Sequence, residues 1–280
     1  MKLIAIDMDD TLLNSKKEIS QVNIDKIKEV SNLDDCYVYI CSGRSEDDIN
    51  DFFERYDFQI PRVGSNGAIG YDGNKKLFEA GFDFSKAKEL YENLSKYPLI
   101  IYTNSGRYLT KNFYENTKYL YSITTDNLYG EKPNTFLHYL NSFEHKEIDN
   151  LEDIPNYENT LFLKFFLFMP IMNEKIKIKK YLSTVQNITF TESGITNVEI
   201  TPDRVNKGEV YKKLEKILNL KTSTKIAIGD SLNDYEMFEI ADYGFAVKNA
   251  YPQILEIADY IVSSNDDNGV AEALDIIKNL

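Results

Sequence analysis

The chain has 280 residues, with 45 Asp and Glu against 32 Lys and Arg, which gives a formal net charge of −13. Proteins that bind nucleic acids neutralise phosphates with positive charge, so we expect no nucleic-acid partner for so acidic a chain. At roughly 150 residues per domain the length predicts about two domains, and a hydrophobic content of 42% is typical of a globular protein.

The first third of the chain alternates short apolar runs with amphipathic segments. Strands are predicted at residues 3–6, 37–41 and 61–64, with a helix across residues 22–30 between the first two. A second helix is predicted after Ser45, a capping residue with Asp48 three positions on. The turn dipeptide at residues 72–73 predicts a hairpin between residues 68–71 and 76–79.

From residue 82 to residue 194 the order of elements changes, and strands follow one another between helices. The predicted elements are a helix at 85–96, strands at 99–103 and 108–111, a helix, strands at 136–140 and 161–168, a helix at 173–183 and a strand at 188–192. This mixture predicts a separate α+β domain.

The alternation of strands and helices then returns. Helices are predicted at 207–218, 231–241 and 252–258, and strands at 225–228, 243–247 and 260–262. The fold class is therefore α/β, with a Rossmann-like, doubly wound parallel-sheet core formed by residues 1–81 and 195–280. Residues 82–194 form the inserted α+β domain.

Neither a membrane segment nor a disulfide framework is predicted. The longest apolar run, residues 161–172, is shorter than the roughly 20 residues that span a bilayer, and the apolar stretch at residues 3–6 is too short for a signal peptide. The two cysteines, Cys36 and Cys41, are too few for a four-ligand zinc site. We expect a cytoplasmic protein with reduced thiols in its core, and the oligomeric state stays open.

Three polar clusters directly follow predicted strands, at residues 7–11, 42–44 and 229–234. Because the carboxyl ends of parallel strands meet in one crevice, we expect the three clusters to form one site. Asp7, Asp9 and Asp230 would bring several carboxylates together there, and like charges so close call for a cation. Oxygen-only ligands suit Mg²⁺ better than zinc. Ser42 and Lys207 are candidates to hold a phosphate beside the ion.

These three clusters and the segment around Lys207 make up four motifs, which read D-M-D-D-T at 7–11, S-G-R at 42–44, N-K-G at 206–208 and G-D-S-L-N-D at 229–234. The four motifs resemble those of the haloacid dehalogenase superfamily of phosphatases. The insert between the second and third motifs, with S-N-G-A at 65–68 and N-G-V-A at 268–271, resembles the Cof-type branch, whose insert is a type IIB cap.

The resemblance implies a Mg²⁺-dependent phosphoryl transfer in which Asp7 is the nucleophile and Asp9 the general acid and base. It implies metal binding by the Asp7 carboxylate, the Asp9 backbone carbonyl and the Asp230 carboxylate. Asp234 would be a further ligand or would support the others. The residues implied to bind phosphate or substrate are Thr11, Ser42, Gly43, Lys207 and Asn233, with Thr11 also orienting the loop around Asp9. An Asp at position 9 favours phosphate esters over the superfamily's other reactions.

The leading prediction is a hydrolase of small phosphorylated metabolites, with sugar phosphates as the substrate class that the resemblance implies. A phosphotransferase or phosphomutase using the same aspartyl-phosphate is one alternative, and a non-catalytic phosphometabolite sensor is another. We expect His138, His145, Arg107 and Lys164 to be packed, solvated or paired at the surface, and Arg44 to cap or brace its loop.

Overall fold

The computed structural model describes residues 1–123, 145–221 and 223–280. The chain divides into two compact units, one made of Met1–Glu79 and Val205–Leu280 and the other of Ala80–Arg204. The strand predicted at residues 136–140 and the side chain of His138 lie outside the described residues.

The strands of the described residues are β1 (Lys2–Ile6), β2 (Cys36–Cys41), β3 (Arg62–Gly64), β4 (Ile69–Asp72), β5 (Lys75–Glu79), β6 (Leu99–Thr103), β7 (Gly106–Thr110), β8 (Lys146–Ile148), β9 (Phe162–Phe168), β10 (Ile188–Thr191), β11 (Asn197–Pro202), β12 (Thr224–Gly229), β13 (Tyr243–Val247) and β14 (Tyr260–Val262). The helices are α1 (Gln21–Ser31), α2 (Glu46–Glu54), α3 (Phe84–Leu94), α4 (Phe113–Ile123), α5 (Met172–Leu182), α6 (Glu209–Ile217), α7 (Tyr235–Ile240), α8 (Pro252–Ile257) and α9 (Gly269–Ile277).

The first unit is built on one sheet with the order β14-β13-β12-β1-β2-β3-β4-β5 in the described residues. The strands from β14 to β3 run parallel, and the hairpin β4-β5 adds an antiparallel edge. The predicted α/β class with a parallel-sheet core is confirmed. Residues 3–6 of β1 and 226–228 of β12 are all apolar and fully buried, as expected of parallel strands with both faces covered.

Helices α1 and α2 both begin after a serine cap, and the sequence predicts the Ser45 cap before α2. The Ser20 hydroxyl accepts the Asn23 backbone N–H, and the Ser45 hydroxyl accepts that of Asp48, so each cap satisfies an N–H that the first turn leaves without a partner. Both cysteines are free and buried, as predicted.

The second unit has its own sheet, with the order β10-β11-β9-β6-β7-β8 in the described residues. Its pairs are antiparallel except for β7 with β8. A separate apolar core forms on this sheet, with buried residues such as Leu99, Ile101, Phe165 and Val198. The predicted α+β character of the insert thus has a physical basis in a second core.

Strand β11 departs from the predicted organisation. The sequence pattern indicates no strand there and assigns residues 195–280 to the catalytic core, whereas β11 pairs with β9 and β10 in the second unit's sheet. Its buried Val198 and Ile200 belong to the second core, so this unit extends to Arg204.

Lys164 is also placed differently from the prediction. We expected a solvated or paired surface charge, but the side chain is 2% exposed and lies in the middle of β9. It pairs with Glu199 of β11 at 2.7 Å, and a buried charge needs such a partner.

In the described part of the chain, no helix has the length and apolar composition required to cross a membrane.

Candidate active site

The three predicted clusters follow neighbouring strands of the first sheet. Strand β1 lies between β2 and β12 and pairs in parallel with both, so the chain leaves these strands at the same edge. Asp7 follows β1 and Ser42 follows β2, whereas Asp230 follows β12. The backbone N–H of Asp7 donates to the carbonyl of Ile228 at 2.9 Å, which holds the first and third clusters together.

A buried lysine joins these clusters. The Lys207 side chain has no exposed surface, and its Nζ lies 2.5 Å from Asp7 Oδ1 and 2.6 Å from Asp234 Oδ1. It also donates to Asn233 Oδ1 at 3.3 Å. The following residue, Gly208, lets the chain pass against α7, because a Cβ there would lie 2.3 Å from the Glu236 carbonyl oxygen.

Asp234 organises the loop after β12. Its Oδ2 accepts the backbone N–H groups of Asp230 and Ser231, both at 3.0 Å. Gly229 makes this possible, since a Cβ there would lie 2.7 Å from the same oxygen. With Oδ1 bound to Lys207, both carboxylate oxygens of Asp234 are engaged. Of the two roles that the resemblance implies for Asp234, these contacts favour support of other residues.

Thr11 is directed at a carboxylate. Its hydroxyl donates to Asp230 Oδ1 at 2.7 Å, and Thr11 is fully buried. We predicted that Thr11 binds phosphate or substrate, but its one hydroxyl proton is already used by Asp230. The contact therefore orients the Asp230 side chain.

The electrostatics of this cluster are dominated by burial. Burial raises the pKa of Asp7 to about 7, with the Asp234 charge adding to the shift and Lys207 opposing it. Burial, with the Asp7 and Asp234 charges, raises the pKa of Asp230 well above its usual range. For Lys207 burial alone would lower the pKa, but Asp234 and Asp7 outweigh it and hold the pKa above its ordinary value. The ammonium is therefore charged.

The donor set fits a hard divalent cation. Asp7, Asp230 and Asp234 offer oxygens that all lie within 4.8 Å of one another, and all three residues are buried. Three carboxylates face one ammonium, so a cation would relieve the remaining repulsion. Because the set contains oxygen alone, it suits Mg²⁺ and lacks the nitrogen or sulfur typical of zinc. Asp7 and Asp230 have oxygens left for the ion once the contacts above are counted.

The loop after β2 reaches the cluster through Asn66. Ser42 is 2% exposed, and its carbonyl accepts the Asn66 backbone N–H at 3.0 Å. Asn233 Nδ2 donates in turn to Asn66 Oδ1 at 3.4 Å. Gly43 lies half-buried in the same loop. Asn66, which we did not predict as a site residue, thus connects the loop of Ser42 and Gly43 to Asn233 beside the carboxylate cluster.

We expected Arg44 to cap or brace its loop and did not assign it to the site, but its side chain binds Asp9. Its Nε donates to Asp9 Oδ2 at 2.7 Å and its Nη2 to Asp9 Oδ1 at 2.8 Å. Burial would raise the pKa of Asp9, but the bonds and charge of Arg44, with Lys17, hold it below the ordinary value. The S-G-R motif offered the signal, since an arginine two residues after Ser42 shares its loop.

Residues that we left outside the site have other partners. Asp10 pairs at the surface with Lys17 at 2.8 Å. The Nε2 of His145 lies 2.6 Å from the hydroxyl of Tyr114 in the second unit.

Comparisons with known proteins agree with this arrangement. The family model described as haloacid dehalogenase-like hydrolase matches residues 4–274. The phosphatase YwpJ of Bacillus subtilis (strain 168) is 30% identical, over 98% of this chain and 99% of its own. The 5-amino-6-(5-phospho-D-ribitylamino)uracil phosphatase YwtE of the same strain is 29% identical, over 98% of this chain and 97% of its own.

A solved structure gives the same picture for the fold. A haloacid dehalogenase-like hydrolase from B. subtilis superposes with a TM-score of 0.85 at 27% identity, covering 98% of this chain and 99% of that one. The resemblance predicted from the four motifs is confirmed. The chain belongs to the haloacid dehalogenase-like hydrolases and is a phosphoric monoester hydrolase.

Proposed function

We propose that this enzyme hydrolyses phosphate esters of small metabolites, sugar phosphates foremost, through an aspartyl-phosphate on Asp7. One observation carries the proposal. Asp7 is a buried carboxylate at the end of the central strand β1, bound by Lys207 and beside the oxygens of Asp230. Such a carboxylate is suited to act as a nucleophile, because its charge is offset by the Lys207 ammonium on one side and would be offset by a bound divalent cation on the other.

In the first step an Asp7 oxygen attacks phosphorus. The bond between Asp7 and phosphorus forms as the ester bond breaks, and the protonated form of Asp9, a minor form at neutral pH because Arg44 holds its pKa low, gives its proton to the leaving oxygen. Lys207 favours the ionised form of Asp7 and stabilises the negative charge on the phosphoryl oxygens. Ser42, Gly43 and Asn233 are the groups that we assign to hold those oxygens.

In the second step water attacks the phosphorus of the aspartyl-phosphate, and Asp9 takes the proton from that water. The bond between Asp7 and phosphorus breaks, so free phosphate and the Asp7 carboxylate are regenerated. We assign Asp7, Asp230 and the backbone carbonyl of Asp9 as the ligands of Mg²⁺. The bound ion would offset charge between the nucleophile and the phosphoryl group.

The relatives support the substrate class. YwtE is named for a phosphate carried on a ribitylamino group, which is a phosphorylated sugar-like chain. We therefore place sugar and polyol phosphates before nucleotides and aryl phosphates in the expected order of preference.

Phosphate release across a panel of substrates tests the proposal. The panel contains sugar phosphates, polyol phosphates, nucleotides and an aryl phosphate, assayed with Mg²⁺ and with a chelator. We expect sugar or polyol phosphates to be hydrolysed best, the chelator to abolish release, and Asp7→Asn to be inactive. Asp10→Asn is the matched control, since Asp10 is an exposed neighbouring carboxylate paired with Lys17.

Each part of the proposal has its own contrary result. Full activity after exhaustive chelation would contradict the metal requirement, and activity in Asp7→Asn would contradict the role of Asp7 as the nucleophile. Transfer of phosphate to an added alcohol in preference to water would make the enzyme a phosphotransferase.

A further inference from the structure

We propose that Arg44 is a positioning residue that fixes the orientation of the Asp9 carboxylate. This inference rests on the proposed function, in which Asp9 exchanges a proton with the substrate. The two guanidinium nitrogens Nε and Nη2 donate to different oxygens of Asp9, at 2.7 and 2.8 Å. A planar fork with two parallel bonds sets the plane of a carboxylate, which a single contact does not.

The other cation near Asp9 does not supply this geometry. Lys17 Nζ lies 3.6 Å from Asp9 Oδ1, beyond hydrogen-bond distance, and its side chain is half exposed. It also pairs more closely with Asp10, at 2.8 Å. Because the Asp9 side chain is itself 40% exposed, packing alone does not lock its rotamer. The orientation of Asp9 therefore depends on the fork.

Arg44 is itself fixed at both ends. Its guanidinium carbon lies 6.0 Å from the ring centre of Phe52, a buried residue of α2. Its backbone N–H donates to Ser42 Oγ at 3.2 Å, and its carbonyl accepts the Ser65 N–H at 2.7 Å. The loop that holds Ser42 thus also determines where the Asp9 carboxylate points.

Orientation of a proton donor matters in proportion to the substrate's need for the proton. The leaving group of an alkyl phosphate is a strongly basic alkoxide unless its oxygen is protonated, whereas the leaving group of a nitrophenyl phosphate is a stable phenolate. Loss of orientation should therefore slow the first substrate far more than the second. Removing Arg44 also lets the Asp9 pKa rise toward its ordinary value, which favours proton donation, so slower hydrolysis of the sugar phosphate would report lost orientation and not the change in pKa. A residue that binds the phosphoryl group would affect both equally, because both substrates carry the same phosphate.

The test compares kcat/KM of Arg44→Ala with a sugar phosphate and with p-nitrophenyl phosphate. We expect a loss of roughly 10²-fold for the sugar phosphate and less than about fivefold for the aryl phosphate. In an Asp9→Asn background the same change should cost less than about threefold, since residues acting as a unit are not additive. Added guanidinium should restore part of the sugar-phosphate activity of Arg44→Ala, and an alkylammonium should not.

Arg62→Ala is the matched control. Arg62 is also buried, donates to Glu46 Oε1 at 2.7 Å and lies over the Tyr71 ring at 5.5 Å, but it is not bound to Asp9. We expect this variant to be less stable and to change both substrates in equal proportion.

The contrary outcomes are distinct. Equal losses for both substrates in Arg44→Ala, or no loss, would overturn the positioning role while the proposed function stands. A wild-type protein that releases no phosphate from either substrate would overturn the proposed function, and the Arg44 inference with it.

Discussion

Each unit of the molecule contains a lysine buried among charged groups, and the two sites differ in charge balance. Lys164 of the second unit pairs with the Glu199 carboxylate at 2.7 Å, and the Tyr102 ring lies 4.5 Å from its Nζ. Lys207 of the first unit contacts both Asp7 and Asp234, with the buried Asp230 close by.

The difference separates a structural ion pair from a functional one. A buried lysine that is paired with one carboxylate within a sheet is neutralised by it, so the pair needs no further ion. In a cluster with more carboxylates than cations, repulsion between the carboxylates adds to the effect of burial, and together they raise the pKa of Asp7 and Asp230. A divalent cation bound there would relieve that repulsion, so the excess of negative charge distinguishes the candidate active site from the structural ion pair.

Replacement of Lys207 by Met should have the largest effect on activity. We expect kcat to fall by about 10³-fold, because a charge that stabilises the phosphoryl oxygens and the ionised nucleophile is lost. The free energy of unfolding should also fall, by about 3 kcal/mol at pH 8, since Asp234 and Asp7 lose their partner. Phosphate release and urea denaturation measure the two losses.

Circular dichroism under assay conditions shows whether the Lys207→Met protein is folded, so the two losses are separable. A folded variant that keeps more than a tenth of the wild-type kcat would exclude Lys207 from the chemistry.

Lys164→Met should lower the free energy of unfolding by about 4 kcal/mol, because it removes the positive charge that neutralises the buried Glu199 carboxylate. The double variant Lys164→Met/Glu199→Leu should recover most of that loss, since an apolar pair can replace a buried ion pair at little cost. Thermal unfolding of the two variants measures the difference. If the double variant is no more stable than the single one, the pair does more than satisfy its own charges.

The stability of the metal-free protein should fall as pH rises from about 4 to about 7. The pKa of Asp7 is raised to about 7 in the folded protein, so there it keeps a proton that the unfolded chain has lost. Stability from this group is complete below the unfolded pKa and lost as pH passes the folded one. Mg²⁺ at 100 times its Kd should then add about 2.7 kcal/mol at pH 8.

Thermal unfolding with a chelator and with Mg²⁺ measures both effects. Asp7→Asn should reduce the slope with pH without removing it, because the Asp230 pKa is also raised. An unchanged midpoint on adding Mg²⁺ at pH 8 would argue against a cation site in this cluster.

The sequence predicts the first unit better than the second because its signals are local. Apolar runs that end in Asp7, Ser42 and Asp230 indicate parallel strands and the edge where they meet. Strand β11 gives a weak signal, because its pairing with β9 is set by contacts with residues distant in sequence. For the same reason Lys164 is placed wrongly, since Glu199 is 35 residues away.

Within the site, residue types are easier to predict than their partners. The carboxylates and Lys207 follow from motifs, but the fork between Arg44 and Asp9 joins two loops 35 residues apart. The direction of the Thr11 hydroxyl is likewise set by tertiary structure, since Asp230 is 219 residues away.

Thr11→Val should have the smallest effect on the enzyme, but it distinguishes a role in orienting Asp230 from a role in binding phosphate. Valine keeps the shape of threonine but removes the hydroxyl that donates to Asp230 Oδ1 at 2.7 Å. A residue that orients a metal ligand typically contributes about tenfold or more to metal affinity, so the Kd for Mg²⁺ should rise about tenfold. At saturating Mg²⁺ the KM for substrate should stay near the wild-type value, because Thr11 acts on Asp230 and not on phosphate.

Thr11→Ser is the control, since it keeps the hydroxyl and should bind Mg²⁺ nearly as the wild type does. Titration calorimetry with Mg²⁺ gives the affinities, and initial rates at saturating Mg²⁺ give KM. A raised KM in Thr11→Val with unchanged Mg²⁺ affinity would return Thr11 to the phosphate-binding role that the motif implies. The expected result would instead add a buried hydroxyl to the groups that hold the excess carboxylates of the first unit in place.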